Sequence, residues 1–304
     1  MELRHLRYFV AVADEKNFTR AAKRLFIAQP PLSRQIQQLE EELGVVLIEK
    51  SSRPLRLTEA GRFFHIHAQD LLAKAAELKT MTQRVGKIER TLSIGFVAST
   101  LYGLLPEIVR RFRERYTTVA VSFHELTTME QIRALKDGVI DVGFGRVKSE
   151  DPNIRRIVLR EERLVVALPS GHPRSASSDA IRLVDLQAET LIIYPKAPRP
   201  SFADQVLAAF SERALTPQQV LEVRELQIAI GLVAAGQGVA IVPESVQGMK
   251  RDDVVYRRVA DHHAVSPVMF SVRKMDKSEE LQNMLAMIYE IYTAAGIAHV
   301  RETL

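Results

Sequence analysis

The sequence predicts two unlike parts, a small basic helical domain followed by a larger α/β domain. Residues 1–90 contain 16 Lys and Arg against 11 Asp and Glu, whereas the remaining 214 residues contain 26 of each. The whole net charge of +5 therefore belongs to the first part, which favours a polyanionic partner there. Apolar residues recur at helical spacing in the first part, and short Val- and Ile-rich runs alternate with helical stretches in the second.

The composition excludes several chemistries. The chain has no cysteine, so disulfides, thiolate-bound zinc, iron–sulfur clusters and thiol nucleophiles are ruled out. The first residues carry charges where a signal peptide would be apolar, and no stretch reaches the length that spans a bilayer. We therefore expect no membrane partner and a cytoplasmic protein.

Three helices are expected before residue 44. A first amphipathic helix covers Leu3 to Ala13, and Asn17 or Thr19 can cap a short second helix that runs through Leu25. After a four-residue connection, Pro30 and Pro31 fit the first turn of a third helix that stops at Gly44.

The third helix has one apolar stripe and one polar face. Leu32, Ile36, Leu39 and Leu43 point to a core, so Pro30, Ser33, Arg34 and Gln37 point to solvent. Hydroxyl, guanidinium and amide groups near a helix N-terminus suit base edges and phosphates. Strands at 45–49 and 55–57 follow, with Arg53 between them, which completes a winged helix-turn-helix. The alternative is a small helical domain with an ordinary solvated face.

A long helix follows from Thr58, its predicted cap, to Gly86. Phe64, Leu71, Leu78 and Val85 are spaced by seven, which indicates packing along a partner helix. A dimer is favoured because two DNA half-sites increase affinity, and burial against the second domain is the alternative.

The second part is expected to bind a ligand rather than catalyse a reaction. Strands are predicted at 92–97, 119–125, 140–144, 164–168, 191–194, 239–242 and 268–272, with helices at 103–115, 128–137, 201–213 and 225–235, which favours parallel sheets. Ser99, Thr128 and Ser201 sit at helix starts after strands or loops, where anions bind, although most such residues are only caps. No nucleophile, metal or dinucleotide motif is present, so no catalytic residue, cofactor or metal is expected.

Several ordered motifs resemble the LysR-type transcriptional regulators. They are Arg4–Phe9, Phe18–Ala22, the run from Ala28 to Ile36, Leu39–Gly44 and Leu57–Gly61. The resemblance implies that the third helix enters the major groove of promoter DNA, with Gln29, Pro30, Ser33 and Arg34 facing DNA and Arg53 on the wing. RNA polymerase is an expected partner.

The second part is similar to the branch of this family that regulates benzoate and catechol degradation, through stretches at 99–107, 134–138, 143–146, 194–204 and 231–236. The resemblance implies a two-lobed effector domain like type II periplasmic binding proteins, usually in a tetramer, with cis,cis-muconate as effector. Benzoate, chloromuconate or another small carboxylate remain alternatives. The matching pocket residues are Ser99, Thr128, Arg146, Pro200, Ser201, Phe202 and Glu225.

The expected organisation is a DNA-binding domain at 1–58, a dimerising linker helix at 59–87 and an effector domain at 88–304. Lobe I takes about 91–161 and 267–304, and lobe II about 162–266. Glu225 is out of place beside a dianion unless it pairs with Arg146 or acts as a hinge contact. A solute-binding protein or an enzyme with an accessory DNA-binding domain are the competing classes.

Overall fold

A computed structural model describes residues 1–49, 55–86, 90–261 and 264–304. The chain divides into two compact units, Met1–Gly86 and Lys87–Leu304. Within its described residues, the first unit contains four helices and a two-stranded antiparallel sheet: α1 (Leu3–Glu15), α2 (Phe18–Arg24), α3 (Gln29–Leu43), β1 (Ile48–Glu49), β2 (Arg56–Leu57) and α4 (Glu59–Gly86). The winged helix-turn-helix predicted from the sequence is thereby confirmed.

Local chemistry sets the helix ends of the first unit. Asn17, rather than Thr19, caps α2, because its Oδ1 accepts a hydrogen bond from the Arg20 amide at 3.0 Å. Gly44 ends α3 at φ 69°, a left-handed conformation that glycine adopts without strain. Thr58 caps α4 as predicted, since its Oγ1 accepts from the Gly61 amide at 3.0 Å.

The long helix α4 is only partly buried within its unit. Phe64 meets Phe9 of α1 edge-on, with ring centroids 5.1 Å apart, and Ala68 is buried. Leu71 and Leu78, the next residues of the seven-residue repeat, are 47% and 67% exposed. The Val85 side chain lies outside the described part of the structure. No helix in the described ranges is long and apolar enough to cross a membrane.

The second unit consists of two lobes, and a long strand runs from one lobe into the other. Its elements are β3 (Arg90–Phe96), α5 (Leu105–Arg115), β4 (Val119–Glu125), α6 (Thr128–Lys136), β5 (Val142–Gly145), β6 (Ile154–Pro169), β7 (Thr190–Ile193), α7 (Phe202–Ser211), β8 (Gln219–Glu222), α8 (Leu226–Ala234), β9 (Val239–Pro243), β10 (Val254–Arg258), β11 (Val265–Arg273) and α9 (Glu279–Ala294), with short 3-10 turns that include Ala98–Tyr102 and Glu244–Met249.

Strand β6 joins the lobes. Its first ten residues pair with β11 in the order β4-β3-β5-β11-β6, and residues 164–169 pair with β9 and β10 in a sheet that continues to β7 and β8. Each lobe has its own apolar core, one drawn from residues 92–159 and 268–292 and the other from residues 164–264. The two-lobed architecture is confirmed, with α9 covering lobe I.

The parallel sheets that the alternation favours are present only in part, because both lobes contain mixed sheets. β3 runs parallel to β4 and β5, and β7 runs parallel to β8 and β9, but β6 and β11 run antiparallel to their neighbours. β6 also begins at Ile154 instead of residue 164. The middle of β6 carries charged residues from Arg160 to Arg163, which hide a strand from a search for apolar runs. β8, β10 and α9 were not among the predicted elements.

One glycine allows α4 to begin against the wing. A Cβ at Gly61 would lie 2.0 Å from the Leu47 carbonyl oxygen, a backbone atom that cannot rotate away. Only a residue without a side chain permits this approach.

We therefore expect Gly61→Ala to destabilise the first unit by about 1–3 kcal/mol, because the added methyl group overpacks the site. Urea unfolding of the full chain measures the change in the free energy of unfolding. Hydrogen exchange of α3 and α4 then shows whether the change arises in the first unit. Gly171→Ala is the control, because a Cβ there meets no atom within 4 Å. Equal stability of both variants would contradict the prediction.

Candidate functional site

The first candidate surface is the outer face of α3. Gln29, Pro30 and Arg34 are exposed at its N-terminal end, and Ser33 is half-buried. The Gln29 Nε2 donates to the Ser33 Oγ at 3.2 Å, so these two side chains already form one hydrogen-bonding group. Arg53, the expected wing contact, lies outside the described residues. The structure thus brings four of the five predicted DNA-facing residues onto one helix end.

Two carboxylates that the sequence analysis did not single out, the buried Glu40 and the more exposed Asp14, connect the elements of this unit. Glu40 on the inner face of α3 accepts from the amides of Leu47 and Ile48 at 2.7 and 3.0 Å, which fixes the start of the wing relative to the helix. Asp14 of α1 accepts from Arg24 of α2 at 3.1 Å and contacts His65 of α4 at 2.9 Å.

The pKa of Asp14 shows that this contact favours the ionised form. Burial alone raises the pKa, but the hydrogen bonds and charges of His65 and Arg24 outweigh it, so the pKa lies below its ordinary value. The carboxylate is therefore charged at neutral pH and links three helices. These contacts span 10 and 51 residues of sequence, so no local pattern could reveal them.

The second candidate site is a cavity of about 220 Å³ between the two lobes of the second unit. Lobe I contributes residues that follow β3, β4 and β5, and lobe II contributes residues that follow β7 and β8. The full lining is Val97, Ala98, Ser99, Glu125, Leu126, Thr127, Thr128, Glu130, Arg146, Val147, Tyr194, Pro195, Pro200, Ser201, Phe202, Arg224, Glu225, Leu226 and Gln227. All seven predicted effector residues are in this lining.

Helix N-termini converge on the cavity from both lobes. The 3-10 turn at Ala98 and helix α6 begin there from lobe I, and α7 and α8 begin there from lobe II. The first backbone amides of each helix have no partner within the helix, and the helix dipole places partial positive charge at this end. The cavity can therefore hold an anion without a large net positive charge.

Close packing puts α6 at this position. A Cβ at Gly145 would lie 2.8 Å from the Thr128 Oγ1, and one at Gly143 would lie 2.7 Å from the Gln131 Oε1. The two glycines of the Gly-Phe-Gly segment thus let the start of α6 lie directly on β5. Their role is close packing.

Arg146 is the charged centre of the cavity wall, and it is 2% exposed. Its Nε donates to the Ser99 Oγ at 2.7 Å, its Nη2 donates to Glu162 Oε2 at 2.7 Å, and its amide donates to the Thr128 Oγ1 at 3.2 Å. Its Nη1 is buried and has no hydrogen-bond partner among the described residues. One N–H group of a buried guanidinium is thus available for an acceptor.

Glu162 is the counter-charge, and sequence analysis missed it. Burial raises its pKa, but the charges of Arg146 and Arg160 and a hydrogen bond from the Ser245 amide at 2.6 Å lower it more, so the net pKa is lowered. The carboxylate therefore remains ionised and bonds to both lobes. The sequence signal that could have revealed Glu162 is the charged pair Glu161 and Glu162, which lies inside the long strand β6.

Glu225 does not pair with Arg146, whose carboxylate partner is Glu162. Glu225 is exposed and precedes the first turn of α8, where its carbonyl accepts from the Ala229 amide at 3.1 Å. The pairing that would have explained this carboxylate in an anion site is therefore absent. Glu225 lies at the cavity mouth next to Arg224.

Tyr194 is a lining residue that sequence analysis assigned only to a strand. Its ring lies 5.4 Å from that of Phe202, and its hydroxyl is buried with no partner among the described residues. Burial raises the pKa of this hydroxyl far above its ordinary value, so the group is a neutral donor. Tyr194 and Arg146 thus both line the cavity, and each has a buried donor without a partner among the described residues.

In the described residues, no group of three His, Asp or Glu side chains converges as a metal site would require.

Comparison with known proteins gives two family matches that together cover most of the chain. Residues 3–62 match the bacterial regulatory helix-turn-helix protein, lysR family, and residues 86–291 match the LysR substrate binding domain. The transcriptional regulator BenM of Acinetobacter baylyi is 46% identical over 97% of this chain and 98% of its own length. A probable cat1 operon transcriptional activator of Acinetobacter lwoffii is 50% identical over 96% of each chain.

Solved structures agree with these matches. Full-length BenM superposes with a TM-score of 0.67 at 43% identity, covering 99% of this chain and all of BenM. Full-length CbnR in complex with its target DNA superposes with a TM-score of 0.62 at 32% identity, covering 95% of this chain and 99% of CbnR. Because the helix-turn-helix unit and the two-lobed unit match over almost their whole length, this chain belongs to the LysR family of bacterial transcriptional regulators.

Proposed function

We propose that this regulator activates genes for the breakdown of aromatic compounds and responds to a small dicarboxylate such as cis,cis-muconate. The observation that best supports this proposal is the cavity, where four helix N-termini meet the buried Arg146 guanidinium with its unpartnered Nη1. Similarity to BenM and to a cat1 operon activator supports the choice of regulated genes.

The chemistry of the cavity fits a flat dianion with an apolar middle. Hydroxyls of Ser99 and Thr128 and the amides at the start of α6 can hold one carboxylate, and the Phe202 amide at the start of α7 lies across the cavity. The apolar surface between them comes from Val97, Leu126, Val147, Pro200, Phe202 and Leu226. Local dipoles rather than net charge attract the ligand, since Glu125, Glu130 and Glu225 also line the cavity.

A smaller carboxylate is the alternative effector. The effector-binding domain of BenM has been solved with its effector benzoate, at 39% identity and a TM-score of 0.68 over 72% of this chain. Benzoate or chloromuconate would use the same donors. A solute-binding role would use the second unit alone and would leave the helix-turn-helix without a purpose.

The remaining parts of the proposal follow the domain organisation. Residues 1–58 bind promoter DNA through Gln29, Pro30, Ser33, Arg34 and Arg53, residues 59–87 form a dimerising helix, and residues 88–304 bind the effector. The exposed Leu71 and Leu78 of α4 offer the surface for a second copy. We further propose a tetramer that acts on RNA polymerase in the cytoplasm, with the effector shifting an existing equilibrium between its conformations.

The proposal is tested on the full chain with DNA from upstream of its own gene. We expect sequence-preferring binding in gel-shift titrations. Footprinting identifies the DNA site that the protein protects, and we expect the protected region to change when muconate is added. Calorimetry with muconate, chloromuconate and benzoate ranks the effectors. Absence of sequence preference at low and moderate salt contradicts the DNA-binding role, and much tighter binding of another acid overturns muconate.

Arg34→Ala should weaken binding to the protected site by about 1–3 kcal/mol if its guanidinium contacts a base edge. Binding to random duplex should weaken much less, because phosphate contacts remain. Fluorescence anisotropy with both duplexes measures the two losses. Arg110→Ala on α5 removes an equal charge from the second unit and serves as control. Equal losses on both duplexes for Arg34→Ala would show that the residue contacts only phosphate.

Tyr194→Phe should weaken effector binding by about 10- to 100-fold, because a hydrogen bond to a carboxylate from a buried donor contributes about 1.5–3 kcal/mol. Calorimetry with the acid that binds most tightly in the ranking experiment measures the loss of affinity. Tyr256→Phe is the matched control, since its hydroxyl is also buried and unpartnered in the described structure but does not line the cavity. DNA affinity without effector reports on folding. Equal effector affinity of both variants would refute a role for the Tyr194 hydroxyl.

A further inference from the structure

The turn between α2 and α3 contains an aromatic side chain that the fold does not use. Phe26 is 95% exposed, whereas its neighbours Leu25 and Ile27 both pack against the core of the first unit. The side chain therefore contributes almost nothing to the stability of this unit through burial.

The backbone at Phe26 also has a conformation that phenylalanine avoids. Its φ is 55°, in the left-handed region where a Cβ crowds the following carbonyl. The Phe26 amide donates to the Lys23 carbonyl at 3.2 Å, and the Ile27 amide donates to the Ala22 carbonyl at 3.0 Å. This pair of hydrogen bonds ends a helix with one left-handed residue, which is usually glycine. Phe26 occupies the glycine position.

Other residues with positive φ differ from Phe26. Among the described residues they are Lys16, Ala214 and Lys250, which carry a charged or a small side chain, and glycines. A fully exposed aromatic ring at a strained position benefits neither the core nor the backbone. Strain of this kind is retained where the side chain serves binding.

We propose that Phe26 is a DNA-contacting residue, which packs its ring against the sugars or thymine methyl groups of the operator beside the N-terminus of α3. The inference rests on the proposed docking of α3. Phe26 lies two residues before the N-cap Ala28 and three before Gln29, and like Gln29, Pro30 and Arg34 it is exposed. A ring at this place adds the apolar contact that this polar surface lacks.

The test separates binding from folding, because the two respond in opposite directions. In Phe26→Gly the strain is relieved, so hydrogen exchange of α2 and α3 in the full chain should be as slow as in the wild type or slower. Affinity for the footprinted duplex should fall about 10-fold through loss of the ring contact. The dependence of log affinity on log salt should keep its slope, because no charge is removed.

Ala214→Gly is the matched control. It relieves the same backbone conformation at φ 55° in the second unit, and DNA affinity should not change. Unchanged DNA affinity of Phe26→Gly would overturn the inference, as would weaker binding accompanied by faster exchange in α2 and α3. A change confined to self-association in sedimentation would assign Phe26 to a protein contact instead. If the wild-type protein shows no sequence-preferring binding, the proposed docking of α3 to DNA is wrong, and the inference about Phe26 is overturned with it.

Discussion

The buried ion pair between Arg146 and Glu162 is the interaction on which the second unit depends. Arg146 follows β5 in lobe I, and Glu162 lies on β6 where this strand passes into lobe II. Two charges can be buried only if their remaining hydrogen-bonding groups find partners, and removal of one partner from such a pair destabilises a protein by about 3–5 kcal/mol. Ser99 accepts from the guanidinium and the Ser245 amide donates to the carboxylate, whereas Arg146 Nη1 keeps no partner among the described residues.

The same pair connects the ligand cavity to the junction of the lobes. The Arg146 carbonyl accepts from Gln205 of α7, and the Ser245 Oγ donates to the Ser99 carbonyl at 3.4 Å, so both lobes bond to the residues around the pair. An anion that binds Arg146 Nη1 would therefore bind a group whose neighbours are hydrogen-bonded to both lobes. A ligand can shift the lobes only by the difference in its affinity for their arrangements, and this junction is where such a difference can arise.

Sequence periodicity gave α1 to α4, and it gave β3, β4, β7 and β9 within a few residues. It failed where chemistry opposed the usual pattern. Arg160 to Arg163 sit within β6 because their charges pair or reach the surface, so no apolar run marks the strand. Glu40 and Glu162 look like ordinary surface acids in the sequence, and only distant contacts make them buried acceptors. Asp14 likewise gains its partner His65 from a distant part of the chain.

By itself the sequence determined the helix-turn-helix, its polar face and the cluster of residues around the cavity, because helical spacing, caps and family motifs are local properties. Tertiary structure decided which charges pair, that Glu225 remains apart from Arg146, and that Tyr194 is a buried donor. Those outcomes depend on distances between residues far apart in the chain and on how much water is excluded around them. Neither quantity is encoded in any short stretch of residues.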